Sequence, residues 1–227
     1  MTMSEIYKIV ILGSTGGGVL SHALKHSFAR DSIQEVVADR DCGLLSVARD
    51  FGLHQILLPA KDGAEFSDAL LKRYGDRQDL LFLSFYTRLL SSSLVCATKG
   101  RIFNCHPSLL PSFKGLRGFE DTLTSSAMFM GCTLHQVDTG VDTGKCVIQA
   151  AYPIDRNLPF HVNRHKIFLM QYYTTLQFFK WVHEGRLQID HKGIPVISGL
   201  RYGPSVFSPN LDEDFFKLAS IDNELTK

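Results

Sequence analysis

Apolar, β-branched runs alternate with helical patterns over the first hundred residues, and this alternation limits the fold more than any single motif. Residues 6–12 form an apolar run that ends at Gly13, the pattern of a strand buried on both faces. Residues 13–18 read Gly-Ser-Thr-Gly-Gly-Gly and lead into a helical pattern over 19–30. Further strand-like runs occupy 33–38, 54–58, 80–85 and 101–104, with helical patterns at 42–51, 64–74 and 93–98 between them. Gly52 and Gly75 stand where helices stop, and Pro59 closes the third strand. Such a rhythm predicts right-handed βαβ units in a doubly wound, mostly parallel, Rossmann-like α/β sheet.

The rhythm then changes. Residues 119–127 look helical, with Glu120 and Asp121 in the first turn, where the helix dipole favours them. Two extended runs, 130–137 and 145–154, are joined by the loop 138–144, which predicts an antiparallel C-terminal extension of the sheet. A long amphipathic helix is expected over 159–184, ended by Gly185. The tail from Arg201 is rich in Pro, Gly and Ser, then carries an acidic-apolar segment at 211–218. No repeat or linker divides the chain, so the expected organisation is one catalytic domain over 1–200 and a docked or mobile tail over 201–227.

Composition narrows the class. A chain of 227 residues buries a core without staples. A net charge of +1 gives no field for nucleic acid or an anionic membrane. Cys42, Cys96, Cys105, Cys132 and Cys146 are scattered and never spaced C-x-x-C, which argues for reduced thiols in a cytosolic protein and against a structural zinc or other metal. The first residues lack a signal-peptide pattern, and no apolar run reaches membrane-spanning length. A homodimer is compatible with all of this.

The densest chemistry lies in Asn104-Cys105-His106-Pro107-Ser108-Leu109-Leu110-Pro111, at the end of the fifth strand. Pro107 and Pro111 stiffen the backbone behind the imidazole. By itself the segment is either an ordinary turn with a surface histidine or a catalytic loop. A second polar cluster, Val141-Asp142-Thr143-Gly144, favours the catalytic loop. An amide, an imidazole and a carboxylate support attack of a neutral amine on a carbonyl. The first two stabilise the developing oxyanion and the carboxylate takes the amine's proton. Cys105 alternates to the opposite side of the strand end and belongs to the core.

Other candidates carry weaker signals. Gly16, Gly17 and Gly18 follow the first strand, where backbone N–H groups can approach a ligand, yet they fit neither G-x-G-x-x-G nor a P-loop. Asp39 follows the second strand and is read as a solvated loop carboxylate. The pairs His22/His26 and His161/His165 are read as solvated helix faces, and His135 as a packed strand residue. Arg88 follows Phe85-Tyr86 and can anchor a carboxylate or an aromatic ring.

The segment Asn104–Pro111 resembles the N-x-H-P-S-L-L-P signature of the folate-dependent formyltransferases, most closely the branch that formylates glycinamide ribonucleotide in purine synthesis. Phe85–Ser91, Gly131–His135 with Val141–Gly144, and Trp181 with Gly185-Arg186-Leu187 agree with that family in order and spacing, so the likeness covers roughly residues 8–190. The resemblance implies 10-formyltetrahydrofolate as co-substrate, with Asn104 and His106 polarising the formyl group and Asp142 positioning His106 and relaying the proton. It implies that Arg88, Leu90 and Val95 line the folate pocket, with the backbone around Asp138 and Val141 holding the pterin. The glycine loop (Gly16, Gly17, Gly18) and Pro107 would face the acceptor amine. Departures fall at the acceptor end. Gly18 and Val19 replace a Ser-Asn pair, Gln171 replaces a glutamate, and Gly115-Leu116-Arg117-Gly118 lacks a histidine the family often carries. The resemblance therefore leaves open another small-amine or amino-sugar acceptor, a 10-formyltetrahydrofolate hydrolase, and a nucleotide-binding regulatory module.

Overall fold

The computed structural model describes residues 6–218. Five parallel strands form one side of an eight-stranded sheet: β1 (Lys8–Gly13), β2 (Ile33–Ala38), β3 (Gln55–Leu57), β4 (Leu80–Phe85) and β5 (Ile102–His106). Three antiparallel strands complete it: β6 (Phe129–Gln136), β7 (Cys146–Pro153) and β10 (Phe207–Ser208). The spatial order is β10-β7-β6-β5-β4-β1-β2-β3. The chain winds outward from β1 through β2 and β3, then returns to β4 on the other side. This puts a topological switch between β1 and β4, where α/β sheets open a crevice at the strand ends. A separate hairpin pairs β8 (Leu187–Ile189) with β9 (Pro195–Ile197).

Alternation along the buried strands feeds two cores. Ile9 and Ile11 of β1 face the larger one, under α1 (Gly18–Ala23), α3 (Gly43–Asp50) and α7 (Phe160–His183). Val10 and Leu12 face the smaller one, under α4 (Gly63–Tyr74) and α5 (Ser92–Thr98). The helix expected over 19–30 is two helices, α1 and α2 (Ser27–Ser32). His26 is extended between them and bonds the Tyr172 hydroxyl at 3.0 Å, which turns α2 onto α7. His22 packs its ring 5.0 Å from that of Phe168. The two histidines are thus packing residues rather than a solvated helix face, whereas His161 and His165 are exposed.

The long helix α7 is amphipathic only in its first half. Tyr173 through Phe179 are all buried, because the second half lies between the sheet and the C-terminal segment. That segment is docked as far as it is described. β10 extends the sheet beside β7, and Phe207, Leu211 and Phe215 are buried. The rest of the expected tail, 219–227, and the first five residues lie outside the described residues. Among the described residues no helix is long and apolar enough to cross a membrane, and all five cysteines are free.

Glu35 of β2 is buried beneath α4, where its carboxylate accepts hydrogen bonds from the Tyr74 hydroxyl (2.5 Å), His54 Nδ1 (2.9 Å) and Arg73 Nη2 (3.3 Å). Burial alone would raise its pKa, but the Tyr74, Arg73 and His54 bonds and the Arg73 charge outweigh it and hold the carboxyl below its ordinary value. A depressed folded pKa stabilises the protein above the unfolded pKa of about 4, and that stability is lost as pH falls through the lower folded value. Glu35→Gln is expected to cost about 1–3 kcal/mol at neutral pH. It should also flatten part of the acid-side fall in stability, measured by urea unfolding at several pH values below about 4.

Candidate active site

β4 and β5 end side by side, with Ser84 paired to Asn104, and β6 runs back along β5 with His135 opposite Asn104 and Thr133 opposite His106. The proline loop after β5 is stapled to β6. Thr133 Oγ1 donates to the Ser108 carbonyl at 2.8 Å and accepts from the Leu110 N–H at 3.1 Å. Ser108, fully buried, donates its hydroxyl to the carbonyls of Ser112 (2.8 Å) and Phe113 (3.0 Å). The segment is therefore the rigid loop rather than a surface turn, and its imidazole is buried.

His106 faces an oxygen at each ring nitrogen: the Phe113 carbonyl lies 2.9 Å from Nε2, and Asp142 Oδ2 lies 3.4 Å from Nδ1. Asp142 sits in the left-handed region (φ 49), a conformation enriched in aspartate, which aims its carboxylate back at β5 and β6. Its Oδ2 also accepts the Gly115 N–H at 2.7 Å, and its Oδ1 lies 3.5 Å from His135 Nε2. The Gln136 carbonyl, 2.7 Å from His135 Nδ1, assigns the proton to that nitrogen. Burial lowers the pKa of His135, so the ring is neutral and its Nε2 accepts from the Asn104 amide at 3.4 Å. Asn104, His106 and Asp142 thus meet, and His135, read from the sequence as a packed strand residue, joins them. Only its pairing opposite Asn104 across β5–β6 could have marked it.

These groups form one wall of a cavity of about 760 Å³ at the switch point. Arg88, Leu90, Pro107, Asp138 and Val141 line it, together with Gly17 and Gly18. One expected wall residue is elsewhere. Val95 is buried in the smaller core with Leu94 and Phe66, because it faces inward from α5. Gly16 is exposed between Thr15 and Gly17, which line the cavity, and its backbone lies close to Gly43. Asp138 turns its own loop, accepting from the Gly140 N–H (3.1 Å) and the Thr143 hydroxyl (2.6 Å). Cys105 lies in the larger core, and the neighbouring Cys132 together with burial pushes its thiol pKa up.

Arg164, Phe168 and Gln171 also line the cavity, spaced four and three residues apart on one face of α7. That spacing was the available signal for the first two. Gln171 Nε2 donates to the Cys105 carbonyl at 3.0 Å.

Asp39 is not a solvated loop carboxylate. Its side chain is fully buried and ion-paired to Arg88 at 3.1 Å and Arg40 at 2.8 Å. Burial would raise its pKa, but hydrogen bonds from Arg40 and Tyr86 and the two guanidinium charges hold it below the ordinary range. Tyr86, which donates to it at 3.2 Å, has its phenol pushed up to about 12, first by burial and then by the Asp39 charge.

The structure is thus a doubly wound α/β sheet with an Asn–His–Asp cluster at its switch point. The formyl transferase family model matches residues 46–160, half of the chain, and the chain belongs to that family. It is 39% identical over 164 residues to the trifunctional purine biosynthetic protein adenosine-3 of Drosophila melanogaster. That match covers 67% of this chain and 12% of the relative, so the chain spans about an eighth of that protein's length. It is 28% identical to the chloroplastic phosphoribosylglycinamide formyltransferase of Vigna unguiculata, covering 88% of this chain and 68% of that one. The fold matches the crystal structure of glycinamide ribonucleotide transformylase 1 from Symbiobacterium toebii with a TM-score of 0.74 at 28% identity, over 86% of this chain and 95% of that one.

Gly118 packs tightly against the His106 ring. A Cβ there would fall 2.6 Å from His106 Nε2 and 2.8 Å from the Phe113 carbonyl. Gly118→Ala is expected to displace the imidazole and lower formyl-transfer turnover at least about tenfold. Ligand affinity should change only a few-fold, measured by steady-state kinetics beside a direct binding titration.

Proposed function

We propose that this protein transfers the formyl group of 10-formyltetrahydrofolate to the primary amine of glycinamide ribonucleotide, a step of purine synthesis, in the cytosol. The observation that carries the reading is the convergence of Asn104, His106 and Asp142 on one wall of a cavity large enough for two substrates. Arg88, Leu90 and the 138–142 loop line the donor side, while Gly17, Gly18, Pro107 and Gln171 line the acceptor side. The names of the Vigna and Symbiobacterium relatives support the acceptor.

The amine lone pair attacks the formyl carbon, and the carbonyl π electrons move to oxygen. The Asn104 amide and a His106 N–H donate to that oxyanion. His106 must exchange one of its two acceptors for it, and Asp142 at 3.4 Å is the looser. Asp142 takes the proton lost by the attacking amine, which also weakens its hold on Nδ1 and frees that N–H for the oxyanion. The tetrahedral intermediate then collapses. The bond from carbon to N10 of the folate breaks, N10 receives the proton, and the formamide leaves.

A second reading, transfer to a different small amine, is favoured by Val19 and Phe168 on the acceptor side, where two apolar side chains meet the cavity. His106→Ala and Asp142→Ala are each expected to lower the rate about 10²–10⁴-fold. Formyl transfer at the wild-type rate in either variant overturns the mechanism. Assay against a panel of amines decides the acceptor, and folate binding without ribonucleotide formylation overturns the purine role.

A further inference from the structure

Among the described residues, the arginines and carboxylates that line the cavity are Arg88, Asp138, Asp142 and Arg164. The first three are engaged within the protein. Arg88 pairs with Asp39 at 3.1 Å, donates to the Lys61 carbonyl at 2.9 Å, and interacts with Asp62 and the Tyr86 hydroxyl. Asp138 closes its own loop through the Gly140 N–H and the Thr143 hydroxyl. Asp142 reaches both imidazoles and the Gly115 N–H. Arg164 differs from them, because its side chain makes no ion pair and no hydrogen bond among the described residues. An unpaired charge on a cavity wall is complementary to a ligand group of opposite sign.

The geometry holds that charge in place. Arg164 is exposed on α7, and its guanidinium carbon lies over the Phe119 ring, 5.6 Å from the ring centre. Phe119 is buried and packs 5.2 Å from the Phe160 ring, so the platform is fixed. A ring attracts a cation without supplying a hydrogen-bond acceptor, so the guanidinium N–H groups remain available to a ligand. One turn further along α7, Phe168 meets the glycine loop: a Cβ on Gly18 would fall 3.5 Å from Phe168 Cε2. Four residues of helix advance about 6 Å, a span that an arginine side chain covers. The wall there brings no other charge, since Gly17, Gly18, Val19, Phe168 and Gln171 are all neutral.

We propose that Arg164 binds the phosphate of the acceptor and sets the preference of this protein for a phosphorylated amine. A phosphate dianion is the ligand group that best matches a fork of N–H donors whose positive charge is unspent. The assignment rests on the reading of the cavity as a site where glycinamide ribonucleotide is formylated. Arg164 acts on affinity for the acceptor, and the transfer step stays with Asn104, His106 and Asp142.

The test compares glycinamide ribonucleotide with glycinamide ribonucleoside, which differs only in lacking the phosphate. Steady-state kinetics at saturating donor are measured for the wild type, Arg164→Lys, Arg164→Met and Arg164→Glu. In Arg164→Met the KM for the ribonucleotide should rise about 10–100-fold, the scale of a charge-assisted contact. Its kcat, and kcat/KM for the ribonucleoside, should stay within about twofold of the wild type. Arg164→Lys, which keeps the charge but not the fork, should fall between the wild type and Arg164→Met, and Arg164→Glu should disfavour the ribonucleotide further than Arg164→Met. A phosphate preference that survives in Arg164→Met, or an equal loss on both acceptors, overturns the inference and leaves the acceptor reading standing. A wild type that formylates both acceptors equally well also overturns it alone, whereas a wild type that formylates neither overturns both.

Discussion

The antiparallel pairing of β5 with β6 is the constraint on which the site depends. It sets His135 opposite Asn104 and Thr133 opposite His106, which brings the polar ends of two strands together at the cavity. A slip of one residue would exchange Asn104 and His106 with Cys105, turning the amide and the imidazole into the larger core. The Thr133 hydroxyl, bonded to both Ser108 and Leu110, holds the proline loop to that register. Asp142 closes the arrangement from the far end of β6, reaching both imidazoles and the Gly115 amide with a single carboxylate.

Carboxylates organise the rest of the parallel half in the same way. Glu35 and Asp39 lie on β2 and just beyond its end, and both are buried. Glu35 ties β2 to α4 through Tyr74 and Arg73, far from the cavity. Asp39 ties β2 to the segment after β4, and so to the cavity wall. Each carboxylate is ionised because hydrogen bonds and cations outweigh burial, so interior charge is compensated locally. The two differ in what they hold: a helix in one instance, an arginine of the cavity wall in the other.

The two sides of the cavity differ in character. One side is built on strand ends and on Arg88, fixed by several acceptors. The other is built on one face of α7 and the start of α1, where Val19, Phe168 and Gln171 meet the cavity. Of the departures from the family signature, Gly18, Val19 and Gln171 fall on this second side, whereas Gly115 and Gly118 lie against Asp142 and His106. Residues 18, 19 and 171 lie outside β5 and β6, so changes there leave the β5–β6 register in place.

The sequence by itself determined the order of the elements, the change from parallel to antiparallel strands near residue 129, and the Asn104–His106–Asp142 trio. These follow from local periodicity and from short-range motifs, which a linear reading can count. It did not show that the helix after Gly18 breaks, that α7 is buried all round from Tyr173 to Phe179, or that Val95 lies off the cavity wall. Nor did it show that Asp39 is buried, or that His135 meets Asp142. Each of these depends on a partner distant in sequence: Tyr172 for His26, Phe207 and Leu211 for α7, Phe66 for Val95, Arg88 for Asp39, and Asn104 for His135. A polar residue at a strand end has the same local pattern whether water or a guanidinium satisfies it. Only the tertiary structure decides which, because only packing removes the water.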